Sequence, residues 1–92
     1  MGKQANAVAS IEGKSIQAKE DEQAVFTLLI DGNAHGTQKA SVSTKANVPL
    51  ITVSDFPFPS GAKTIEVFVK PGLFGEKCKI CINGSQIAGD SF

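Results

Sequence analysis

The sequence predicts an all-β fold, a small antiparallel β-sandwich. Three observations carry that reading. Apolar residues recur at period two in three separate runs. Turn signals containing Gly or Pro punctuate the chain about every 8–12 residues. No stretch shows convincing helical periodicity. With 92 residues and 41% hydrophobic content, the chain has the size and apolar share of one domain spanning 1–92.

The first two strands are expected at 6–11 and 14–19, joined at Glu12-Gly13. The stretch Ala18-Lys19-Glu20-Asp21-Glu22-Gln23-Ala24 is friendly to helix but too short to persist alone, so it reads as an acidic loop or one turn. The clearest strand is 24–31: Ala24, Phe26, Leu28 and Ile30 face one way, Val25, Thr27 and Leu29 the other. Asp31-Gly32-Asn33-Ala34-His35-Gly36 reads as a polar hairpin loop. It resembles the opening of a calcium loop, but the twelfth position, where a bidentate Glu belongs, is Val42. Strands at 38–45 and 49–54 follow.

Phe56-Pro57-Phe58-Pro59 reads as a loop that holds two aromatic rings in place at low entropic cost. In the strand 63–70, Ile65, Val67 and Val69 form an inner face opposite Thr64, Glu66, Phe68 and Lys70. Pro71-Gly72-Leu73-Phe74-Gly75 is a second apolar loop. The strand 77–82 places Cys78, Ile80 and Ile82 inside, and Asn83-Gly84 supplies a type I′ turn into 85–88. A two-residue loop there would set Ile80 opposite Ile87. No internal repeat, linker or low-complexity segment is legible. The order of features resembles that of immunoglobulin-like and related Greek-key sandwiches of about seven to eight strands: an alternating strand, an Asp-Gly turn, then Ser60-Gly61-Ala62-Lys63-Thr64-Ile65-Glu66-Val67 before a last hairpin. That likeness concerns the fold and carries no function.

Nine lysines balance nine acidic residues, and arginine, tryptophan and tyrosine are absent. Neutral charge, scattered lysines and the lack of arginine argue against nucleic acid as a partner. No run approaches the roughly 18 apolar residues of a membrane span. The start, Met1-Gly2-Lys3, leads into no apolar region of a secretory signal, so the protein is expected in the cytoplasm or exported without a classical signal.

Cys78 and Cys81 have the spacing of redox and zinc motifs, but they lie in a strand, where residues three apart point to opposite faces. They are expected as buried structural thiols that do not bond to each other. His35 is the only histidine, no G-x-S-x-G elbow exists, and Glu20-Asp21-Glu22 reads as a solvated charge run. Catalysis, metal and cofactors are therefore not expected. What remains is a non-catalytic binding module making protein–protein contact, including self-association as a homodimer. Its candidate contact residues are Phe56, Phe58, Leu73, Phe74 and Phe68, with Val25, Leu29, Phe68 and Cys81 as one possible outer patch. A carbohydrate-binding sandwich is the alternative, with Asp31, Asn33 and His35 as polar ligand contacts. A structural domain of a larger assembly is another.

Overall fold

The computed structural model describes residues 4–92. Met1–Lys3, on which the expectation about a leader rests, lies outside the described residues. Eight strands run β1 (Asn6–Ile11), β2 (Lys14–Glu20), β3 (Val25–Ile30), β4 (Asn33–Lys39), β5 (Ile51–Phe58), β6 (Gly61–Lys70), β7 (Lys77–Ile82) and β8 (Ser85–Gly89). Among the described residues there is no helix. The strands form two antiparallel four-stranded sheets, β1-β2-β3-β4 and β5-β6-β7-β8. All six pairings join consecutive strands, so each sheet is a meander. A Greek key would have set non-consecutive strands side by side within a sheet.

Type I′ turns drive this local wiring. Glu12-Gly13, Asp31-Gly32 and Asn83-Gly84 all have positive φ at both positions. That backbone matches the right-handed twist of the flanking strands. The chain therefore reverses at once after Ile30, and Asn33–Lys39 becomes β4. The expected polar loop at 31–36 and strand at 38–45 give way to this arrangement. Alternation could not reveal β4, because it is an edge strand and nearly all of it is exposed. Residues 40–50 instead make turns, closed by Thr44 N–H to the Ser41 carbonyl (3.1 Å) and Val48 N–H to the Lys45 carbonyl (3.2 Å).

The two meanders repeat one device. Asp31 N–H donates to the Ser15 carbonyl (2.8 Å), while its Oδ1 accepts from Ser15 N–H (2.9 Å). Asn83 does the same with Thr64, at 2.9 and 3.0 Å. In each sheet a turn side chain thus grips the strand beyond its own hairpin. Aspartate and asparagine share the geometry needed, so the repeat is structural where the sequence shows none.

Buried residues of both sheets make one apolar cluster. The expected core residues Phe26, Leu28, Ile30, Ile65, Val67, Val69, Ile80 and Ile82 all belong to it, joined by Ile16, Ala18, Ile51, Phe58 and Cys78. Three bulges adjust the alternation. His35 is the extra residue of β4, between the pairs Leu28↔Gly36 and Leu29↔Ala34. In β5 the pairing passes from Val53↔Ile65 to Phe56↔Lys63, with Asp55 at positive φ. This extra residue keeps Asp55 out of the core and turns Phe56 and Phe58 toward it. In β8 the extra residue is Ile87, so Ile80 faces Ala88 rather than Ile87.

Candidate functional site

The bulge in β5 decides the fate of the first aromatic loop. Phe56-Pro57-Phe58 is strand, not loop, and pairs with Lys63, Ala62 and Gly61. Pro57 is tolerated because β5 is an edge strand. Phe58, expected as a contact residue, is 6% exposed and belongs to the core. Phe56 is half-buried. Its ring meets Phe58 at 5.5 Å and the His35 ring edge-on at 5.2 Å. The Lys14 ammonium lies 5.7 Å from its centre. Phe56 thus packs against His35, Phe58 and Lys14 of its own chain.

The polar residues Asp31, Asn33 and His35 are all exposed. Asp31 is committed to Ser15 and approaches Lys14 at 3.9 Å, and His35 is committed to Phe56. Nearby, the Glu12 carboxylate accepts from Ser60 N–H (2.8 Å) and Ser60 Oγ (2.6 Å), with Lys63 Nζ at 3.6 Å. This latch ties the β1–β2 turn of one sheet to the β5–β6 turn of the other. The Ser60 hydrogen bonds, then the Lys63 charge, hold the Glu12 carboxyl below its ordinary value.

The second apolar loop stands apart. Leu73 is 96% exposed and Phe74 89%. They sit in the β6–β7 connection, at the opposite end of β6 from Phe56 and Phe58. Ten residues of strand separate the two places, roughly 30 Å at the usual rise. A joint rim of Phe56, Phe58 and Phe74 therefore does not form. The loop is pinched at its neck: a Cβ on Gly72 would stand 2.8 Å from the Gly75 carbonyl oxygen. That pinch leaves the two apolar side chains at its tip. Val42, fully exposed on the 40–50 segment, is another apolar residue in water that alternation had assigned to a strand.

Phe68 and Cys81 do face outward from β6 and β7, but Val25 and Leu29 lie in the other sheet, so the four make no single patch. Phe68 is half-buried. With Ala46, Asn47, Glu66, Lys79, Cys81, Gly84 and Phe92 it lines a shallow cavity of about 340 Å³. Lys79 Nζ sits 5.5 Å from the Phe68 ring centre and 4.5 Å from that of Phe92. The ammonium also donates to the Phe92 carbonyl (3.2 Å). The 40–50 segment and the chain's last residues thus cover the outer face, and Cys81 is only 6% exposed there. Alternation put Cys81 outside but could not foresee this cover. Cys78 points into the core, and both thiols are free. Burial, then Asp90 and Glu20, push the Cys78 thiol up to about 11. Burial likewise raises Cys81, against the lowering effect of Lys79.

One group was missed. Ile16 and Ala18 face inward on β2, and the same alternation carries Glu20 to the inner side at the strand's end, paired opposite buried Phe26. Its Oε1 accepts from Ala5 N–H (2.8 Å), and its own N–H donates to the Ala5 carbonyl (3.0 Å). Glu76, the last residue of the β6–β7 connection, acts on this carboxyl. Burial first, then the hydrogen bond with Glu76, push the Glu20 carboxyl up to about 7. Reading Glu20-Asp21-Glu22 as a charge run hid the period-two position of Glu20.

Comparison of the chain with protein-family models, with curated proteins and with solved structures gives no match. Among the described residues, no group of three or more His, Cys, Asp and Glu is placed to hold a metal ion. No helix among them is long and apolar enough to cross a membrane.

Proposed function

We propose that this chain is a non-catalytic interaction module, its two meanders facing each other as a β-sandwich, which contacts a protein partner through Leu73 and Phe74. The exposure of those two side chains carries the reading. A loop has no folding reason to hold a leucine and a phenylalanine in water, and each would release about 1.5–3 kcal/mol if fully buried in an interface. Aromatic anchors of this kind dominate the energetics of many interfaces. The rigid hairpin beneath the tip lowers the ordering entropy that binding would otherwise cost. Zero net charge fits recognition by apolar contact rather than long-range steering.

The test compares wild type with the Leu73→Ser/Phe74→Ser variant. Light scattering after size exclusion reads self-association, and capture on immobilised protein followed by direct titration with the purified partner reads a different protein. Binding lost in a variant with unchanged unfolding supports the reading. Binding that survives the double substitution refutes it. Selective retention on a glycan array, with no protein partner, would replace it with the carbohydrate reading.

A further inference from the structure

We propose that the partner of the Leu73-Phe74 tip is a second copy of this chain, and that the tip enters that copy's cavity over Phe68 and Lys79. The inference rests on the preceding reading of the tip and adds its receptor.

The cavity is built on the outward face of β6 and β7. Two cross-strand pairs, Glu66↔Cys81 and Phe68↔Lys79, form its floor. Its volume of about 340 Å³ is at the low end for a drug-sized ligand, which suits a pair of apolar side chains better than a larger body. The chain's own fold shows what this floor holds. The Phe92 ring lies 4.5 Å from Lys79 Nζ, and the ammonium donates to the carbonyl of the same residue at 3.2 Å. Lys79 thus takes a phenyl ring and a main-chain carbonyl from one phenylalanine, with the Phe68 ring centre 5.5 Å away on the floor. An ammonium has donors to spare, so a second phenylalanine can be received in the same manner.

Phe74 brings those two groups. It stands 89% exposed between Leu73 and Gly75, on a neck too tight for a Cβ at Gly72. Neither tip residue lines the cavity of its own chain. The tip leaves the sheet beyond the pair Lys70↔Lys77, whereas the cavity runs from Phe68 toward the turn at Gly84. The tip of one copy therefore meets the cavity of the next head to tail.

Charge favours a copy as the occupant. Identical chains of high net charge repel one another, and here nine lysines balance nine acidic residues. Locally, the neck of the tip carries Lys70 and Lys77, both exposed, and the cavity floor offers Glu66. Among the described residues, Glu66 enters no ion pair. Donor and receptor are different surfaces, so the contact is heterologous. Each added copy leaves a free tip at one end and a free cavity at the other, and growth continues to a ring or an open chain.

The experiment is sedimentation velocity over a concentration series, with unfolding midpoints as the control for folding. It compares wild type, the tip variant Leu73→Ser/Phe74→Ser and the cavity variant Phe68→Ser. Wild type should grow beyond a dimer as concentration rises. Each variant alone should associate about tenfold more weakly or less. An equimolar mixture of the two variants should give a one-to-one heterodimer and nothing larger, because one intact tip meets one intact cavity. Asn47→Trp, at an exposed position on the rim, fills the cavity from above and serves if Phe68→Ser folds poorly. A mixture that stays monomeric overturns the proposal, as does a folded cavity variant that assembles like wild type. Wild type that is monomeric at millimolar concentration, while the tip is still needed to bind a different protein, refutes the second copy and leaves the reading of the tip standing. Association untouched by the tip variant refutes both.

Discussion

Replacing Gly36 by alanine tests how the two sheets meet. Gly36 lies on β4, opposite Leu28, with a backbone that an L-residue can adopt. An added Cβ would stand 2.6 Å from Cγ2 of Ile51, the first residue of β5. Ordinary carbon–carbon contact is about 3.5–4.0 Å. Ile51 is buried and paired opposite Val67, which is itself fully buried, so it has little room to retreat. Overpacking of this kind costs about 1–3 kcal/mol. Alanine in place of a strand glycine otherwise stabilises by about 0.5–1 kcal/mol, through lower unfolded-state entropy. The two effects have opposite signs, so the sign of the result decides. We expect a net loss of about 1–2 kcal/mol in urea unfolding. Ile51→Ala alone should cost about 2–5 kcal/mol by leaving a cavity. In the double variant the new methyl enters space that Ile51 has vacated, so the sum should overshoot the measured loss. Neutral or greater stability in Gly36→Ala, or additivity within about 0.5 kcal/mol, would refute the contact between β4 and β5.

Val67→Ala should lower stability by about 1–3 kcal/mol in the same assay, since it removes two buried methyls between Ile51 and Ile80. Leu73→Ser/Phe74→Ser should leave the unfolding midpoint within about 0.5 kcal/mol of wild type, because neither side chain packs on the core. Glu20's carboxyl is raised from 4.5 to about 7, so the folded chain binds more protons than the unfolded one between those values. Its contribution is full below about pH 4.5 and is lost as pH rises through about 7, which Glu20→Gln should abolish in a pH series of thermal midpoints. Glu12 is lowered and works the other way: its contribution is lost as pH falls below the ordinary carboxylate range, and Glu12→Gln should remove that loss. Native protein at mildly alkaline pH should resist iodoacetamide at Cys78 and Cys81, and denatured protein should take up two equivalents.

Much of the fold is legible in the amino-acid order, because period-two alternation and Xaa-Gly turns act over a few residues. Phe26, Leu28 and Ile30 had to face one way, and Ile65, Val67 and Val69 had to face one way, wherever their strands paired. Asn83-Gly84 had to close a tight hairpin. Bulges were not legible, since one extra residue inverts every later side chain and nothing local announces it. Thus Phe56 and Phe58 reached the core through the irregularity at Asp55, and His35 met Phe56 through a second one in β4. A polar edge strand such as Asn33–Lys39 shows no alternation to read, because neither of its faces is buried.

The candidate site divides the same way. The apolar Leu73-Phe74 tip could be named from sequence, because a two-residue apolar island among Gly and Pro is visible locally. That it stands alone, at the far end of β6 from Phe56, needed the strand to be traced in space. The action of Glu76 on Glu20 belongs wholly to tertiary structure. Fifty-six positions apart in the chain, Glu76 acts on the Glu20 carboxyl only through the folded arrangement of the end of β2 and the entry to β7. Desolvation and like charge, which raise the Glu20 carboxyl, act through space, whereas the pattern that builds a strand acts along the chain.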